Sequence, residues 1–213
     1  MQAVTTLRAV SHVTEQALPS LRERNKQRAR DEIAGAALRL FHERGFDAVT
    51  IDDLLVASGV SRRTFFRYFA TKEDALLADY PQLNDRLQRT LSERGDDVPL
   101  TAVRVALHDL ATFYVEQREP VFARSMVIRN AAGPGLAARN LELLAQWESL
   151  IAEAVARHTQ DSGQDLVPRL IATTTVGAFR SALAQWVIAG SGDLHRLLDQ
   201  ALDIVMTGLD SAL

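Results

Sequence analysis

The stretch that most restricts the possible folds is residues 50–70, TIDDLLVASGVSRRTFFRYFA. It packs two helix starts and a forced turn into very little chain. Thr50 is followed three positions on by Asp53, a capping-box-like start with Asp where Glu or Gln is commoner. Ile51, Leu54 and Leu55 give this short helix one apolar face. Ser58-Gly59 ends it, since Gly enters the left-handed conformation of a tight turn at little steric cost. Ser61 caps a second short helix that runs to about Ala70, and Thr71 caps a third with Lys72, Glu73 and Asp74 in its first turn. Short helices joined by so tight a turn cross steeply, which is the helix-turn-helix plan.

The flanking chain extends this reading to an all-α fold. From about Arg24 the pattern is helical: Ile33, Ala36, Ala37, Leu40 and Phe41 share one face, and Gly45 is the expected stop. Residues 1–23 show no clear period and are expected to form a flexible arm, leaving 24–71 as a three-helix domain. Residues 72–213 read as helix throughout, with spans over 72–93 (bent at Pro81), 100–117, 120–131, 136–159, 167–189 and 193–211. The clusters GDDVP (95–99), GPG (133–135) and GSG (190–192) separate several of them. This second part is expected to be a helical bundle.

Composition removes whole classes of function. The chain has no cysteine, so disulfides, thiolate zinc sites and thiol nucleophiles are excluded. Its five histidines (12, 42, 108, 158 and 195) are scattered, and neither a His-Glu-x-x-His motif nor a nucleophile elbow is present. No catalytic residue, metal ligand or cofactor is therefore expected, and the chain is read as not an enzyme. It has no apolar run near the ~20 residues that span a bilayer, and no basic-then-apolar leader, so a cytoplasmic location without a membrane partner is expected.

Charge is unevenly spread. Residues 21–72 carry 11 Lys/Arg against 7 Asp/Glu, a net of +4, whereas the remainder carries 13 against 20, a net of −7. That asymmetry fits a polyanion held at one end, and it equally fits a solvated helix face. A protein that coats DNA along its whole length would be basic throughout, which this chain is not.

The segment Arg62–Ala70 narrows the choice. On a helical wheel Phe65 and Phe69 are i, i+4 partners that can pack with Leu55 and Val60 onto Leu40 and Phe41. Arg62, Arg63, Phe66 and Arg67 then point outward, flanked by Thr64 and Tyr68. Three guanidinium groups, a hydroxyl, a phenol and an apolar ring on one face suit a DNA major groove. Arg can chelate guanine or phosphate, Thr and Tyr can reach phosphate, and Phe can touch a thymine methyl.

Here the sequence resembles the TetR family of bacterial transcriptional regulators, over about residues 28–77. The likeness is carried by Gly-Phe after the first helix, Thr at the second helix cap, Gly-Val-Ser before the reader, and the T-F-x-R-Y-F-x-x-K-E block. It implies base-edge contacts from Arg62, Arg63 and Phe66, and phosphate contacts from Thr50, Thr64, Arg67, Tyr68 and Lys72. The family most often has Tyr where this chain has Phe66, so that hydroxyl's hydrogen bond is missing. Tyr68 also suits simple packing, and Lys72 a plain helix start, although a cation at the positive end of a helix is mildly unfavourable unless an anion is near. Arg24, Lys26, Arg28 and Arg30 suit either DNA contacts or a solvated arm.

The resemblance further implies a homodimer on a palindromic operator, formed through the helices at 167–189 and 193–211. Both are apolar on most faces and must be buried on most faces, in a dimer or in a larger monomeric bundle. RSMVIRN, LAARN and the Trp-containing helix 136–159 resemble the branch of the family that includes the mycofactocin-system regulator and an acyl-coenzyme A responder. This implies a repressor released by a small apolar or amphipathic effector, acyl-coenzyme A-like in class. Candidate effector contacts are His108, Phe113, Phe122, Met126, Arg129, Trp147, Thr174 and Arg180, each of which also suits a core or structural role. The helix starting at Lys72, bent at Pro81, is expected to couple such a pocket to the reader.

Overall fold

The computed structural model describes residues 20–78, 80–95, 99–116, 134–159 and 162–207, apart from the side chains of 22, 23, 134–136 and 139. Every regular element among the described residues is helical.

The reader unit comprises α1 (Leu21–Arg44), α2 (Ile51–Ser58), α3 (Arg62–Tyr68) and α4 (Lys72–Leu76). α1 begins three residues before Arg24 and ends at Gly45, whose φ of 82° closes the last turn. Residues 1–19 of the expected arm lie outside the described residues. Thr50 and Thr71 form capping boxes with Asp53 and Asp74, and the Ser61 hydroxyl accepts from the Thr64 N–H. Gly59, at φ 68°, makes the turn between α2 and α3. Ile33, Ala37, Leu40 and Phe41 of α1 are buried with Leu54 of α2 and with Phe65 and Phe69, which are 0% and 2% exposed.

The body comprises α5 (Tyr80–Glu93), α6 (Pro99–Glu116), α7 (Pro134–Thr159), α8 (Leu166–Ala189) and α9 (Leu194–Thr207). The spans follow the sequence pattern, with two corrections. The expected helix 72–93 is two helices, α4 and α5. Pro81 has no N–H to give the Leu77 carbonyl and its ring crowds that carbonyl, so Leu77 leaves the helix (φ −101°, ψ 20°) and its oxygen accepts from the Tyr80 N–H instead. GPG at 133–135 is only partly a separator, because Pro134 and Gly135 open α7; proline is tolerated in a first turn, where its missing N–H is not needed. The expected helix 120–131, and 208–211 of the last span, lie outside the described residues.

α7 packs on α8, α8 on α9, α5 on α6 and α7, and α9 returns to α6. At the centre the Trp147 ring lies 5.6 Å from Tyr80 and 5.9 Å from Phe179. The apolar core is continuous from Ile33 in the reader, through Leu76 and Leu77, to Leu202 in α9. No described helix is long and apolar enough to cross a membrane.

Candidate nucleic-acid interface

α3 presents the face that its sequence requires. Phe65 and Phe69, 5.8 Å apart, anchor it to α1 and α2, and Phe66 stands edge-on to Phe65 with 47% of its surface exposed. Arg62, Arg63, Phe66 and Arg67 are all exposed, with Thr64 and Tyr68 half-buried at the flanks. A short helix carrying three cations outward on a fixed scaffold is a polyanion-binding surface, and its exposed ring adds an apolar contact of thymine-methyl type.

Several of these side chains already have partners. Arg62 pairs with Asp52 of α2, an exposed contact that an incoming guanine or phosphate can displace. Arg67 donates to the Tyr68 hydroxyl at 2.7 Å with its guanidinium 4.7 Å from that ring, so the two move as one polar unit. They face Asn25, Lys26 and Ala29 across a groove between α3 and the start of α1. The Thr50 hydroxyl donates to Asp53 Oδ2 (2.5 Å) and accepts from the Asp53 N–H (3.2 Å), so its first role is the cap. Those hydrogen bonds, from the Thr50 hydroxyl first and its backbone N–H second, hold the Asp53 carboxyl below the usual range.

The surroundings of Lys72 differ most from the sequence reading. Its ammonium donates to the carbonyls of Phe46 (2.8 Å) and Val49 (3.0 Å) and lies 4.3 Å from the Phe46 ring. The negative partner that its position demands is thus internal, and one of its three donors is left for a phosphate. Of the basic residues ahead of the reader, Arg28 pairs with Glu32, while Arg30 reaches across to the Ala78 carbonyl at 3.0 Å.

Comparison with known proteins settles what such a unit belongs to. Residues 33–78 match the family model of bacterial regulatory proteins of the tetR family, and residues 97–210 match the MftR C-terminal domain, more than half of the chain. The chain belongs to the TetR family of bacterial transcriptional regulators. Among its relatives, a Mycobacterium tuberculosis protein named as the mycofactocin biosynthesis transcriptional regulator MftR is 33% identical over 179 residues, 84% of this chain and 89% of its own. The regulator TcmR of Streptomyces glaucescens is 29% identical, over 87% of this chain and 86% of its own. Among solved structures, Thermus thermophilus FadR in complex with lauroyl-CoA superimposes with a TM-score of 0.61 at 25% identity, covering 83% of this chain and 93% of its own. This TetR protein is therefore a DNA-binding transcriptional regulator and not an enzyme.

Five of the eight expected effector residues of the TetR body lie among the described residues. Trp147 and Phe113 are core: the Trp147 indole N–H donates to Asn84 Oδ1 at 2.5 Å, and the Arg86 guanidinium lies 5.9 Å from the Phe113 ring. His108 faces α9, with its ring stacked on His195 and its Nε2 2.9 Å from Asp199. Thr174 bonds its own helix at the Leu170 carbonyl, and Arg180 lies exposed on α8. Phe122, Met126 and Arg129 lie outside the described residues. A cleft of about 200 Å³ between α7 and α8, bordered by Glu148, Glu153, Arg169 and Thr173, holds none of the eight and is smaller than the ~300 Å³ at which ligand pockets begin.

Sequence reasoning missed the polar ties between α5 and α7. Tyr80 donates to Asn140 Oδ1 at 2.5 Å and Asn84 to Gln146 at 2.8 Å. The LAARN segment held the only hint, since its asparagine is Asn140.

Proposed function

We propose that this regulator is a ligand-responsive repressor that binds an inverted-repeat operator as a homodimer in the cytoplasm. The observation that carries the reading is the exposed Arg62–Tyr68 face on a helix pinned by Phe65 and Phe69. Arg62, Arg63 and Phe66 contact base edges; Thr50, Thr64, Arg67, Tyr68 and the free donor of Lys72 contact phosphate. Helices α1 to α4 form the reader, α5 to α9 belong to the effector and dimer body, and the residues ahead of α1 serve as an arm.

The outer face of α8 supports the dimer. Leu166, Val167, Leu170 and Ile188 are exposed, and between them run Thr174, Gly177, Ser181 and Ala184. A Cβ added at Gly177 would meet nothing within 4 Å, so this strip is open in the protomer and can let a second α8 approach closely. Leu197, Ala201 and Val205 of α9 are only partly buried. The effector is a small apolar or amphipathic molecule, acyl-coenzyme A-like in class, as for the FadR that was solved with lauroyl-CoA.

Selection of bound duplexes from a random pool at two salt concentrations tests the reading. An enriched inverted repeat with half-site centres about 34–36 Å apart is the expected result. Binding without enrichment, vanishing as salt rises, would leave only electrostatic attachment and end the proposal.

A further inference from the structure

The joint between reader and body lies in the short stretch between Leu76 and Tyr80, and it is pinned from both sides. On the reader side Arg30 of α1 donates through Nη2 to the Ala78 carbonyl at 3.0 Å, a contact between residues 48 positions apart. The same guanidinium lies 5.8 Å from the ring of Phe69, the capping residue at the end of α3. On the body side Tyr80 donates to Asn140 of α7, and its ring rests on Trp147. The backbone at Leu77 has left the helix because Pro81 cannot continue it, so orientation falls to the side chains. A cation on carbonyls at a helix C-terminus is favourably placed, and a planar guanidinium fixes direction where an ammonium would not.

We infer that Arg30 is a positioning residue for DNA recognition: by joining α1, the end of α3 and the Ala78 carbonyl, it fixes the reader's angle to the body and so the half-site spacing the dimer accepts. The inference rests on the dimeric-operator reading above. Each added base pair moves a half-site by ~3.4 Å and turns it by roughly 35°, which a rigid pair of readers cannot follow.

The test uses the full chain on selected operators remade one base pair shorter and one longer, beside a single half-site duplex. Wild type is expected to lose ~10-fold or more in affinity with either change. Arg30→Met is expected to keep half-site affinity while its discrimination among spacings falls to about 3-fold or less, and Arg30→Lys to restore part of it. Unchanged discrimination overturns the inference, as does a loss shared equally by half-site and operator. Should the Met variant not fold, Arg30→Gln is held to the same criterion. Independently of DNA, spin labels on Ala57→Cys and Gln88→Cys, in a chain with no other cysteine, report the distance from reader to body. Its distribution is expected to broaden in Arg30→Met, and equal widths would overturn the inference. If no inverted repeat is selected while the widths still differ, only the dimeric-operator reading fails.

Discussion

At the scale of single residues, the polar groups of the reader serve its own fold first. Thr50 caps α2 before it can touch a phosphate, and Lys72 is anchored on two carbonyls before it can meet DNA. Arg63 is exposed, and the proposed reading puts it on a base edge. Arg63→Ala should cost about 1–3 kcal/mol on the selected site and flatten the preference at one position, read by affinities across single-base variants. The caps at Thr50, Ser61 and Thr71 were legible because their partners lie three residues away. The anchors of Lys72 and Arg30 were not, since they join positions 26 or 23 and 48 residues apart. No local pattern encodes such pairs.

At the scale of helices, α3 is held by two rings rather than by its length. It is too short to persist alone, so the packing of Phe65 and Phe69 maintains it. Phe65→Ala should destabilise the reader by about 3–5 kcal/mol, seen as a lowered thermal midpoint together with lost binding. In the body, α6 and α9 are fastened by a charged clasp: Arg104 spans Asp199 (2.7 Å) and Asp203 (2.5 Å), and His108 adds a second bond to Asp199. Partial burial pushes the Asp199 carboxyl up, but hydrogen bonds and charge from His108 and Arg104 outweigh this and leave it below the usual range. A carboxyl depressed in the fold contributes stability above its unfolded pKa and loses it as pH falls through its folded pKa. The thermal midpoint of Asp199→Asn should therefore fall less steeply than that of wild type from pH ~5 downward. Helix spans were legible from apolar period, but the clasp was not: its charges sit on faces that read as ordinary solvated positions.

At the scale of the molecule, the reader and body share one continuous core, so motion in the body can reach α3 through α4 without crossing a solvent gap. The all-α architecture was legible, because apolar residues recur at the helical period along the chain. A cavity is the space left between several helices, and no single helix records it. Leu170→Asp places a charge on the open strip of α8 without touching the protomer core. It should convert a dimer to a monomer in sedimentation, with the protomer's melting little changed and operator affinity greatly reduced.

That strip has a further consequence. A lone protomer keeps Leu166 and Ile188 mostly in water, at 78% and 81% exposure. To a chaperone or a protease, such a surface resembles a partly unfolded chain. If that strip is the dimer seam, copies that find no partner would be cleared soonest, and scarcity would feed on itself. Control of the target genes would then follow a threshold in the regulator's dosage rather than a gradual scale.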